Sequence, residues 1–127
     1  VLIVVPRGTY PEEIRFCSFA GLATTDKFIA RELETLGAAV RGIVKAQKAL
    51  RADPTLARAV GLRKFPKEAA ELIAAVVARD VEFYQPAISE EMVLKMNRFA
   101  QSVGQLAGPV AYEDVVAVQY RELWGGK

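Results

Sequence analysis

The sequence predicts a predominantly helical α/β fragment, with about two N-terminal strands followed by five or six helices. Three observations lead to that class. Val1-Leu2-Ile3-Val4-Val5 is an unbroken apolar, largely β-branched run ended by Pro6, the pattern of a strand buried on both faces. From Thr25 to Trp124 the apolar residues recur at helical spacing instead, so no later segment supplies that strand with neighbours. The helical stretches are punctuated by Asp-Pro, Phe-Pro and Gly-Pro pairs at short intervals. The expectation is the back part of a larger α/β protein, cut within a sheet, with residues 1–127 forming a single domain.

The elements follow in order. Pro6-Arg7-Gly8-Thr9-Tyr10-Pro11 has turn chemistry, two prolines fixing φ and a glycine free to take angles that a Cβ forbids. Ile14 to Leu22 alternates Ile14 and Phe16 against Arg15 and Cys17, which predicts a second strand ending near Gly21. Thr24 or Thr25 then caps a helix, with Asp26 in its first turn. Leu36, Val40, Ile43, Val44, Gln47 and Leu50 make the apolar stripe of a long helix over Leu33 to Ala52, with Arg41, Lys45, Lys48 and Arg51 mostly opposite. Asp53-Pro54 starts a short helix that Gly61 closes, and Pro66 opens another whose inner stripe is Ala69, Leu72, Ile73, Val76 and Val77. An aromatic loop spans Val81 to Ile88. Ser89 caps a helix carrying Met92, Met96, Phe99, Val103 and Leu106, stopped by Gly108-Pro109. A last helix runs from about Glu113, with Val116, Tyr120, Leu123 and Trp124 facing in.

Composition narrows the function. With 17 Lys plus Arg against 15 Asp plus Glu, the net charge of +2 leaves no footprint for nucleic acid. No apolar stretch is long enough to span a bilayer. The chain has no histidine, which removes the commonest general base and metal ligand, and its single cysteine permits no disulfide framework or thiolate metal cluster. Neither enzyme activity, a metal nor a cofactor is expected.

The order of the pieces is itself informative. Ala23-Thr24-Thr25-Asp26-Lys27-Phe28-Ile29, Val44-Lys45-Ala46-Gln47-Lys48-Ala49-Leu50, Lys64-Phe65-Pro66 with Glu68-Ala69, and Gly104-Gln105-Leu106 leading to Tyr112 together resemble the C-terminal portion of the substrate-binding proteins of nitrate, sulfonate and taurine ABC importers. That family also includes the thiamine-pyrimidine synthase-like proteins. The resemblance implies a two-lobed periplasmic binding protein type 2 fold, with Val1 to Val5 a second-lobe strand, residues 6–17 a hinge crossing, and residues 18–127 part of the first lobe. It implies a periplasmic or lipid-anchored extracellular protein that traps a small polar or anionic molecule between lobes and delivers it to a membrane permease. A homo-oligomer through the N-terminal strand is a further expectation, since an open apolar edge invites association. The enzyme branch draws on histidine and a cysteine-rich motif, so its chemistry would have to lie wholly upstream. A small helical interaction domain is the third reading.

Arg7, Gly8, Thr9 and Tyr10 are the candidate ligand-binding residues. They follow the carboxyl end of an expected strand, where open α/β sheets place ligands, and offer a guanidinium, free amides, a hydroxyl and a phenol. A plain surface turn fits the same residues. Phe83-Tyr84 suits ligand stacking or simple packing, Met92 and Met96 an adaptable groove or core, Trp124 a partner anchor or a packed C-terminus. Cys17 reads as a small buried hydrophobe. Glu12-Glu13, Glu90-Glu91 and Glu113-Asp114 stand where loops or helix starts favour negative charge.

Overall fold

A computed structural model describes residues 21–124, and every regular element among them is helical. In chain order these are α1 (Asp26–Arg31), α2 (Leu33–Ala52), α3 (Leu56–Lys64), α4 (Lys67–Asp80), a 3₁₀ turn Val81–Phe83, α5 (Glu90–Ser102), α6 (Tyr112–Val115), a 3₁₀ turn Val118–Tyr120, and α7 (Arg121–Trp124). This corrects the α/β class: the described residues are helical and contain no strand. The strand expected over Ile14 to Leu22 reaches them at Gly21 and Leu22, which have no regular structure. Its apolar alternation fails at Ala20-Gly21, and the extended backbone at Thr25 (φ −109°, ψ 153°) is that of a helix N-cap, its hydroxyl accepting from Phe28 N at 3.2 Å. Val1 to Val5 and residues 14–20 lie outside the described residues. So do the second-lobe strand and hinge crossing expected over 1–17.

Contacts divide the chain into two units, Glu34–Pro86 and a second formed by residues 1–33 with 87–127. In the first, α2 spans the residues that its apolar stripe predicts and buries Leu36, Gly37 and Val44. Asp53 does not sit directly before its helix. Its carboxylate accepts from Thr55 N at 3.0 Å and Thr55 Oγ1 at 2.6 Å, an Asx turn that sets the entry to α3. Gly61 does not end that helix either: α3 continues through Lys64, and Gly61 is buried against Ala70 of α4, whose Cβ lies 3.2 Å from where a Gly61 Cβ would stand. The missing side chain lets the two helices close on each other. Ala57 and Ala70 complete that seam, Ala70 with no exposed surface.

The face that α4 buries therefore differs from the one predicted. Leu72 is 67% exposed and Val76 38%, while Ala70 and Asp80 are buried. Alanines at 69, 70, 74, 75 and 78 make α4 apolar around most of its circumference, so periodicity does not select one side. Close approach does, because only a small residue fits opposite Gly61.

In the second unit Ser89 caps α5, its hydroxyl accepting from Met92 N at 3.1 Å. The helix ends at Ser102 rather than at Gly108. Gly104 takes φ +73°, Gln105 N donates to Ala100 O at 2.8 Å and Gly104 N to Gln101 O at 3.0 Å, a Schellman motif that satisfies the last carbonyls. Buried Asn97 holds the returning chain with two bonds, Nδ2 donating to Val110 O at 2.7 Å and Oδ1 accepting from Val110 N at 3.1 Å. The expected last helix is split into three short turns, because Val116 is extended (φ −119°, ψ 124°). Its inner residues still face in: Val116 and Tyr120 are buried, Leu123 and Trp124 half-buried. The seven α-helices among the described residues exceed the five or six expected for this reason.

Candidate functional site

Arg7, Gly8, Thr9 and Tyr10 lie outside the described residues, as does Cys17. Residues 21–124 supply several charged and polar side chains that hold backbone groups or one another.

Phe83 ends the 3₁₀ turn Val81–Phe83 that follows α4, Tyr84 comes directly after it, and both are half-buried. The turn is tied back to α2 by Arg51, whose guanidinium donates to the carbonyl oxygens of Tyr84 and of Glu82. A cation at the carbonyl end of a helix also complements its dipole. The exit from α4 is thus tied to α2 through the main chain of Glu82 and Tyr84. Met92 and Met96 are half-buried on α5.

Between α3 and α4, Arg58 and Glu71 form a forked ion pair: Arg58 Nε lies 2.9 Å from both carboxylate oxygens and Nη2 2.7 Å from Oε1. Hydrogen bonding from Arg58 holds the Glu71 carboxyl below its ordinary value, with the charges of Arg58 and Lys67 acting the same way, and the pairing raises Arg58. Both side chains are about half exposed, 53% and 42%, so water screens the pair and its contribution is small. At the other end of α4 Arg79 grips buried Asp80 through Nε at 2.6 Å and Nη2 at 2.8 Å, which raises the Arg79 pKa. Lys95 pairs with Glu91 one turn earlier on α5 at 2.8 Å and lowers that carboxyl. Glu90 and Glu91 lie in the first turn of α5, Glu113 and Asp114 in that of α6, as their positions predict.

The tyrosines act as struts. Tyr112 Oη donates to Ile88 O at 2.6 Å, and the Arg121 guanidinium stands 5.5 Å from the centre of the Tyr112 ring. Tyr120 Oη donates to Leu33 O at 3.1 Å. No group of three or more His, Cys, Asp or Glu side chains that would hold a metal ion occurs among the described residues. No described helix is long and apolar enough to cross a membrane. The Asn97 lock is among the polar features that sequence reasoning missed; its place beside the Met92–Met96–Phe99 stripe carries no signal that it turns inward.

No family model, no curated protein and no solved structure matches this chain.

Proposed function

We propose that the chain serves solute capture for an ABC importer, binding a small polar or anionic molecule in the periplasm and handing it to a membrane permease without covalent chemistry. The observation that carries this reading is the order of the four sequence segments that resemble the nitrate, sulfonate and taurine binding family. Each of three segments contains a residue that fixes the course of the backbone, which is a physical reason for their spacing to matter. Thr25 caps α1, Lys64-Phe65-Pro66 makes the turn between α3 and α4, and Gly104 ends α5 with Tyr112 bracing the chain behind it. The α/β architecture that the resemblance implies is not part of the proposal, because the described residues hold no strand.

Titration of the gene product, as isolated from its cell, with nitrate, taurine, an alkanesulfonate and a pyrimidine tests the reading. Saturable binding of one of them at a single site is expected. Binding of none overturns it.

A second reading, a helical interaction domain, is favoured by one observation. Leu56 and Val60 of α3 and Leu72 and Val76 of α4 are all exposed, so these two packed helices carry uncovered apolar side chains. The same titration separates the two, since an interaction domain binds no small solute.

A further inference from the structure

The turn between α3 and α4 carries a surface that the solute-binding role does not use. All seven residues from Leu62 to Glu68 are exposed, Leu62 at 42% and Phe65 at 53%. Between and beside these two large apolar side chains stand Arg63, Lys64 and Lys67. None of the three is within ion-pair distance of a carboxylate among the described residues. Residues 62–67 thus carry three positive charges and no negative one, and Glu68 is the first acid to follow. Glu71, one turn further on, is already held by Arg58.

We propose that this hairpin tip docks on an anionic phospholipid surface, with Leu62 and Phe65 entering the headgroup boundary and Arg63, Lys64 and Lys67 pairing with phosphates. Apolar side chains interleaved with cations on an exposed tip match the chemistry of such an interface, where long basic side chains keep their charge in the headgroup layer while their stems lie along apolar surface. The tip by itself is small for a protein partner, and its three cations complement an anionic surface. A stable protein interface needs about 20 to 30 residues a side, whereas a lipid surface needs only local insertion plus charge. Pro66 also suits the role, since it fixes the backbone of the turn and offers no N–H that would have to be satisfied away from water. The inference stands independently of the solute-binding reading.

Co-sedimentation of the full chain with phosphatidylcholine vesicles, with and without phosphatidylglycerol, is the test. The chain is expected to bind the anionic vesicles and not the neutral ones, with binding lost as salt is raised through the range where surface charges are screened. Each cation near an anionic surface is worth about fivefold in affinity, so Arg63→Gln with Lys64→Gln should weaken binding roughly 25-fold. Glutamine keeps the helix propensity of α3 and avoids placing acid at its C-terminal end, so the double variant should retain native circular dichroism. Phe65→Ser should weaken binding severalfold with all charges intact. Equal binding to neutral vesicles, absence of binding to both, or binding unchanged in either variant overturns the proposal. Retention on immobilised polyglutamate without vesicle binding assigns the tip to an acidic protein instead and overturns it too.

Discussion

Two glycines in helices of the same unit should respond differently to the same substitution. Gly42 stands in α2 with nothing within 4 Å of the position a Cβ would take, and Gly61 stands in α3 with Ala70 Cβ at 3.2 Å and Ala70 Cα at 3.3 Å. In open space, replacing a helical glycine by alanine removes unfolded-state freedom and gains helix propensity, so Gly42→Ala should stabilise by about 0.5 to 1 kcal/mol. At Gly61 the same gain meets a contact a few tenths of an ångström inside ordinary carbon separation, about 3.5 to 4.0 Å. Parting α3 from α4 by that much forfeits dispersion along the whole seam. Gly61→Ala should therefore give no stabilisation, and Gly61→Val, with two more methyl groups in a closed site, should lose about 1 to 3 kcal/mol. Urea denaturation followed by far-ultraviolet circular dichroism reads all three. Gly61→Ala stabilising as much as Gly42→Ala would refute the close packing of α3 on α4.

Asn97→Ala removes both bonds to Val110 and leaves its amide and carbonyl without that partner, so it should cost about 1 to 3 kcal/mol in the same assay; a change near zero would mean the loop is held by something else. Ser89→Ala should cost about 1 kcal/mol and Ser89→Asp almost nothing, because either oxygen accepts from Met92 N, and equal losses would discount the cap. Glu71 is depressed in the folded state, so its pairing stabilises the protein above the ordinary carboxyl pKa and the effect fades as pH falls through the lowered value; Glu71→Gln should flatten that part of the stability–pH curve, and an unaltered curve would sink the assignment. In the solute titration, Arg7→Ala should weaken binding by about 1.5 to 3 kcal/mol if Arg7 holds an anionic group, and an unchanged affinity returns residues 7–10 to a plain surface turn.

The parts of the fold legible in the sequence are those where one local rule decides. Leu33 to Ala52 was readable because a polar face of four cations lies opposite a sustained apolar stripe, and Ser89 because a capping hydroxyl precedes two acids. Val116 and Tyr120 were readable as inward residues, since their four-residue spacing survives the break between them. Where two rules compete, tertiary contact decided. Gly61 looked like a terminator and is a contact point; Leu72 and Val76 looked like core and are exposed, because Ala70 is the residue that fits against Gly61. Gly108-Pro109 looked like the stop for α5, yet Gly104 offers a positive φ four residues earlier and the helix ends there. The strand expected over Ile14 to Leu22 does not extend into Gly21 and Leu22, where the chain runs instead toward the Thr25 cap of α1. Arg7, Gly8, Thr9 and Tyr10 remain a proposal from residue type, a cation, a glycine, a hydroxyl and a phenol, and lie outside the described residues.

Solute import itself is most directly measured as uptake of radiolabelled nitrate, taurine and an alkanesulfonate by cells of the source organism with and without the coding sequence. Loss of uptake of one solute, restored by a plasmid copy and not by a copy carrying Arg7→Ala, is the predicted result; uptake of all three unchanged by the deletion would contradict the account.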